Sequence, residues 1–312
     1  MSDKAYERQN PVYYALLVAL IFMSVGPIIL MFANSFKLDV DITSGTGGLL
    51  FIPTIQNYET ALCDVLWYEP EHLDFCQLKF GGAFINSLII SLISTVLTLV
   101  IGCMAAYALV RFRFMGRDAA SLTTLLVRMV PPAVLLVPVF GLWNNAFCFD
   151  KDGLIGGFIR ETMGGRGDVC LAGTHSGIIL IYVAMNLPFV IWILQSFIMQ
   201  VPHSLEEAAR VDGAGPFQVF FKIVLPLIKP GLAAAAIFTF RIAWNEYLLA
   251  SALSDRDTKT VPILIVNNMS EFNVEWGVIM ATGMLLAIPP IIFTLFASRQ
   301  IITGMTAGAV KG

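Results

Sequence analysis

Charge is scarce in this sequence: Asp, Glu, Lys and Arg make up 13% of its 312 residues, against about 25% in ordinary soluble domains. Hydrophobic residues make up 57%. A water-soluble fold has too little interior to hide that much apolar surface, so a soluble globular domain is excluded. Other absences remove classes of chemistry. There is no Gly-x-x-x-x-Gly-Lys-Ser/Thr loop to cradle phosphates, so the chain is not expected to hydrolyse ATP itself. His-Glu-x-x-His and Gly-x-Ser-x-Gly are also missing, which argues against a membrane-embedded hydrolase. Among three histidines, His72 and His175 lie near cysteines but without zinc-ligand spacing, so no metal site is expected. The net charge of −3 points to no charged partner, and nucleic acid is not expected.

What the chain does have is long apolar runs. A helix crossing a hydrocarbon core of about 30 Å needs about 20 predominantly apolar residues. Six segments qualify: Val12 to Phe32, Ala83 to Val110, Ala119 to Trp143, Gly177 to Met199, Val224 to Ala250 and Trp276 to Ala297. The first is long, holds Pro27 and follows a polar stretch with both charge signs, so it reads as a retained span rather than a cleavable leader. The expected fold is therefore an all-α membrane protein with six transmembrane helices.

Six spans put both termini on one side, and Lys and Arg decide which. Lys4, Arg8, Arg111, Arg113, Arg117, Arg210, Lys222, Arg299 and Lys311 crowd the short segments on the side of the N-terminus, whereas the longer opposite loops are relatively poor in basic residues. Both termini are thus expected in the cytoplasm. Cys63 and Cys76 then fall in the first outer loop and Cys148 and Cys170 in the second, with Cys103 inside the second span. In an oxidising compartment two within-loop disulfides are plausible, although four cysteines allow three pairings. The second outer loop is Gly-rich and contains Arg166-Gly167-Asp168, read as accidental. Loops of such length usually carry function or disorder.

Between the fourth and fifth spans lies a polar break. Ser204 and Glu207 have capping-box spacing, so a helix is expected to start at Leu205. Gly213 can adopt the left-handed conformation that ends a helix, and Pro226 and Pro230 punctuate entry to the next span. The elements Glu207-Ala208-Ala209, Asp212-Gly213-Ala214 and Ile223-Val224-Leu225-Pro226 resemble the coupling-helix motif of ABC importer permeases. The resemblance implies that this helix, within residues 203–221, docks into a cleft of a cytoplasmic ATPase.

Further segments are similar to maltose-type carbohydrate permeases. They are Phe51-Ile52-Pro53-Thr54-Ile55-Gln56-Asn57-Tyr58, Asn86-Ser87, Ala105-Ala106-Tyr107-Ala108-Leu109 with Arg111-Phe112-Arg113-Phe114 and Gly116-Arg117, Trp244-Asn245-Glu246-Tyr247, and the tail Gly304 to Gly312. The Cys-containing outer loops depart from that pattern. The domain organisation expected is 1–33 for the N-terminus and first span, 34–82 for the first periplasmic loop, and 83–312 for the core permease with tail 298–312.

An ionised group at the membrane centre costs roughly 2.5–3.5 kcal/mol even on the gentler insertion scale, which directs attention to Arg128, Arg241 and Glu246. The bland reading pairs Arg241 with Glu246 or with an acid of another subunit, and gives Arg128 the carbonyls released by Pro131-Pro132. The sharper reading puts an arginine on the translocation path, where its planar fork holds an oxygen-rich or anionic group. Trp244, Asn245 and Tyr247 offer sugar-binding side-chain types within one turn, and Asn186 near Pro188 marks another polar position.

The resemblance implies a permease subunit of an ATP-driven importer for a carbohydrate or sugar derivative. Its partners would be a homologous second permease, two ATP-binding cassette ATPases carrying ATP and Mg, and a periplasmic substrate-binding protein, in the lipid of a bacterial inner membrane. No cofactor is expected on this chain. The alternative is an ion-coupled secondary transporter of a small polar solute. Such carriers often show internal repeats, and none is evident here.

Overall fold

The computed structural model describes residues 11–44, 51–66, 79–143, 148–149, 169–269 and 274–309; the side chains of 11–12, 148–149, 169–170 and 301–309 lie outside that description. The long helices are α1 (Pro11–Ser35), α5 (Phe80–Arg111), α8 (His175–Met199) and α15 (Trp276–Ala309). Each is long and apolar enough to cross a membrane. Short helices α2 (Asp39–Thr43), α3 (Gln56–Ala61) and α4 (Cys63–Leu66) follow α1.

Two of the expected spans are broken rather than continuous. The third divides into α6 (Arg117–Arg128) and α7 (Pro132–Gly141), bent by 99°. Pro131 lacks an N–H and sits extended at φ −62°, ψ 136°, and a residue before proline avoids the helical region, so the ladder ends here. The fifth is preceded by α9 (His203–Val211), α10 (Pro216–Val219), a π-helical turn (Phe220–Val224) and α11 (Leu225–Leu227). It then runs as α12 (Lys229–Trp244), bent by 73° from the Pro216–Leu227 piece. Pro226 has no N–H to return to the Lys222 carbonyl, and the wide π turn lies immediately before it. With each bent pair taken as one span, the helices number up to six. The remaining described elements are α13 (Leu248–Leu253), α14 (Val261–Asn267) and a two-residue antiparallel ladder, β1 (Cys148–Phe149) with β2 (Val169–Cys170).

The chain divides into two compact units, residues 1–81 with 265–287, and residues 82–264 with 288–312. In the first, the buried Asn57 amide donates to the carbonyls of Ser35 at 2.9 Å and Lys37 at 2.7 Å. Asp39 Oδ1 accepts from the Gly277 N–H at 2.7 Å. Gly277 is required there, because a Cβ would press on the Asn57 amide. Cys63 is held in a disulfide whose partner is not among the described side chains. Cys76 and His72 lie outside the described residues, as does most of the Gly-rich loop with Arg166-Gly167-Asp168.

The second unit is organised around α8, which buries residues on nearly every side. One apolar cluster joins Ile90, Trp143, Ile178, Tyr182, Leu249 and Ile263. Another joins Cys103, Ala106, Val190, Leu194, Phe220 and Ile228. Helices approach closely at Gly102, where a Cβ would lie 2.7 Å from Val190, and at Gly231, where it would enter the Phe197 ring. Asn86 of the Asn86-Ser87 pair donates to the Asp257 and Lys259 carbonyls at 2.7 and 3.1 Å and also bonds His175 at 2.7 Å. Ser87 accepts from Val261 N–H at 2.9 Å. This pair therefore pins the loop between α13 and α14 to the start of α5.

Candidate functional site

Helix α9 has its chemistry inside out. It starts at His203 behind Pro202, not at Leu205, and no side chain caps its first turn. The expected Ser204–Glu207 capping box is corrected on this point, since Ser204 already lies inside the helix and cannot serve as the entry residue. Glu207 instead pairs with His203 one turn earlier, Oε1 to Nδ1 at 3.0 Å, and is 66% exposed. Leu205 and Val211 are 44% and 87% exposed, and Ala208 between them also faces outward. Spacing of three residues puts these on one exposed apolar stripe.

The helix ends as its glycine requires. Gly213 has φ +86°, its N–H reaches the Arg210 carbonyl at 3.0 Å, and the Ala214 N–H reaches the Ala209 carbonyl at 2.9 Å. This is the paired closure that satisfies the last carbonyls when a left-handed residue follows a helix. Asp212 precedes it as the C-cap and is exposed.

Glu206, which the sequence pattern did not single out, has no exposure at all. Its Oε1 accepts from Arg111 Nε at 2.5 Å and its Oε2 from the Tyr107 hydroxyl at 3.0 Å. Arg210, one turn on, stands 4.0 Å from Oε2. Arg111 also donates through Nη2 to the Ile198 and Val201 carbonyls at 3.1 and 2.8 Å, a cation at the C-terminal end of α8 where the helix dipole favours one. Tyr107 and Arg111 are four apart on α5, so they share a face. That spacing was the available signal, but nothing local says which glutamate they meet.

A second surface gathers three helices of the same unit. The Arg128 guanidinium at the end of α6 lies 3.9 Å above the Phe189 ring of α8. Phe189 in turn meets Phe238 of α12 edge-on, with centroids 5.9 Å apart. Phe238, Arg241 and Asn245 share the exposed face of α12 at spacings of three and four. Among the described residues, Arg128 and Arg241 form no ion pair, and Arg128 takes no proline-released carbonyl. Below them Ser121 donates to Gln195 Oε1 at 3.2 Å, while the buried Gln195 Nε2 has no partner among the described residues.

The remaining sequence candidates have structural partners. Glu246 does not pair with Arg241: Oε1 accepts from the Leu249 N–H, and Oε2 from the Ala250 N–H and the Tyr182 hydroxyl, each at 2.9 Å. It caps α13, where an anion is favoured. Trp244 is 1% exposed, stacked on Phe240 at 5.6 Å, so its ring belongs to the core. Tyr247 packs on the first cluster. Asn186 is buried and donates to the Tyr182 carbonyl at 2.8 Å. Cys148 and Cys170 are register partners in the β1–β2 ladder. No group of His, Cys, Asp and Glu among the described residues could hold a metal ion.

Four long apolar helices and two bent pairs among the described residues place the chain with the helical membrane proteins. The chain belongs to the family of binding-protein-dependent transport system inner membrane components, whose pattern matches residues 98–305. It is 38% identical to the trehalose transport system permease protein SugB of Mycobacterium tuberculosis over 75% of this chain and 78% of that one. It is 31% identical to the trehalose/maltose transport system permease protein MalG of Thermococcus litoralis over the full length of both. In fold it resembles a chain of a bacterial ABC transporter involved in the import of the acidic polysaccharide alginate, with TM-score 0.64 and 21% identity over 96% of this chain and 98% of the other.

Proposed function

We propose that this chain is one of two permease subunits of an ATP-driven importer of a carbohydrate or sugar derivative. The observation that carries the coupling part is α9, which exposes Leu205, Ala208 and Val211 while burying Glu206. An apolar stripe turned outward beside a helix end fixed by Gly213 suits a preformed ligand for a protein cleft, since prior ordering reduces the entropy lost on binding. Glu207, Ala208, Ala209, Asp212, Gly213 and Ala214 form the segment that docks on a separate ATPase pair, which carries ATP and Mg. The carbohydrate part rests on the relatives named for trehalose and maltose.

In this reading the membrane is crossed six times with both termini cytoplasmic, in a bacterial inner membrane, and a periplasmic binding protein delivers substrate to the outer face. ATP draws the ATPases together, α9 follows, and the spans rock from inward-open to outward-open. The path lies between this chain and a homologous permease. Arg128 and Arg241 line it, because exposed charges at membrane depth belong on water-filled or protein-facing surfaces rather than in lipid, and Asn245 shares the exposed side of Arg241. The outer loops are closed by Cys63–Cys76 and Cys148–Cys170; for the latter, the register pairing across β1 and β2 is the support. Uptake of labelled disaccharides into vesicles holding the complete complex tests the proposal. Uptake that requires ATP and survives ionophores is expected; uptake without ATP and abolished by ionophores would establish the ion-coupled alternative.

A further inference from the structure

The carboxylate of Glu206 is engaged by the permease itself, not left for a docking partner. Its two oxygens hold α5 through Arg111 and Tyr107, and the same arginine holds the end of α8 through the Ile198 carbonyl and that of Val201 just beyond the helix. One charged cluster thus joins three segments of the cytoplasmic end. Taking an ion pair out of water is costly and is recovered only with near-complete hydrogen bonding, so such a pair is a weak source of stability compared with apolar packing. What it supplies well is a fixed register between the parts it joins. On the other side of α9 the chain is built differently. It leaves through left-handed Gly213 and runs to α12 across the π turn and the 73° bend, where Phe220 and Ile228 make apolar contacts with α5 and α8 but, among the described residues, no charged group ties the segment to them. Broad turns of this kind occur where a helix must bend.

We infer that the Arg111–Glu206–Tyr107 cluster is the mechanical joint of the importer, making α9 and the inner ends of α5 and α8 one rigid lever. A push on α9 then reaches spans two and four directly, while span five follows through the bend before α12. The inference rests on the proposed docking of α9 on the ATPase. Glu206 is a positioning residue: it touches neither substrate nor nucleotide, and its role is separate from that of exposed Glu207.

The test uses the complete complex in proteoliposomes with its binding protein. Glu206→Gln keeps the side-chain shape and removes the charge. The expected result is normal assembly and binding-protein-stimulated ATP hydrolysis within about twofold, with solute moved per ATP lowered by about tenfold. Arg111→Cys combined with Glu206→Cys should show the same uncoupling, and joining the two thiols with a short bis-thiosulfonate linker should restore solute moved per ATP. Unchanged transport per ATP in Glu206→Gln, a proportional loss of transport and hydrolysis, or no recovery on linking overturns the joint. Should Glu206→Gln fail to assemble, Arg111→Lys, which keeps the charge but loses the planar fork that bridges Glu206 to the Ile198 and Val201 carbonyls, is read by the same ratio, and an unchanged ratio overturns it equally. A Val211→Cys variant tests docking separately through crosslinking to the ATPase. Absence of that crosslink in an assembled complex removes the docking reading, whereas a crosslink with unaltered coupling in Glu206→Gln removes the joint alone.

Discussion

Arg241 and Glu246 lie within one helical turn and a half of each other, yet the structure gives them unrelated tasks. Glu246 accepts two backbone N–H groups of α13 and the Tyr182 hydroxyl. Truncating it leaves buried donors unmet, at about 1–3 kcal/mol. Glu246→Ala should therefore lower the thermal unfolding temperature of the complex in detergent, while Arg241→Ala should leave it nearly unchanged. Equal destabilisation by the two would show that they act as a pair after all. Arg241→Lys keeps the charge but loses the planar fork. Transport is expected to fall with basal ATPase activity and assembly intact, and parallel loss of assembly would rule out a role confined to the substrate path.

At the scale of elements, the decisive feature is how α9 ends. A β-branched residue at φ +86° carries a steric cost of roughly 1–2 kcal/mol, because its Cβ crowds the neighbouring carbonyl. No side chain stands within 4 Å of a Cβ added at Gly213, so the cost is conformational and local. Gly213→Ile should disturb the helix end and uncouple hydrolysis from uptake without preventing membrane insertion. Normal sugar uptake per ATP hydrolysed would refute that role. The breaks at Pro131 and at Ile228 belong to the same scale: each separates a span into pieces with independent directions, which a straight helix could not supply.

For the whole molecule, the two proposed loop disulfides make a prediction independent of transport. Each would close a short loop and stabilise it by about 3 kcal/mol in the chain-entropy model. Non-reducing peptide mapping of protein isolated from its own envelope should find Cys63 joined to Cys76 and Cys148 to Cys170, with Cys103 free and buried as the structure has it. Free thiols at all four outer positions, or crossed pairing between the loops, would reject the assignment.

The membrane class, the approximate places of the long helices and the position of the short helix α9 follow from sequence alone, because composition, apolar run length and the Gly213 stop are local properties. The same locality explains what sequence reasoning missed. Glu206 and Glu207 are adjacent and chemically identical, and the choice of which is buried is made by Arg111, 95 positions away in the chain. Glu246 has partners in α13 and on α8 that no spacing rule selects over nearby Arg241. The capping box failed because Pro202 already admits the helix at His203, and burial then recruited the wrong glutamate for that motif. That Leu205 and Val211 face outward is likewise decided by the contacts Glu206 makes with Arg111 and Tyr107 of α5. Sequence thus determined what kind of surface each segment carries, while tertiary structure decided which surface meets which, since desolvating a charge is tolerable only where distant partners converge on it.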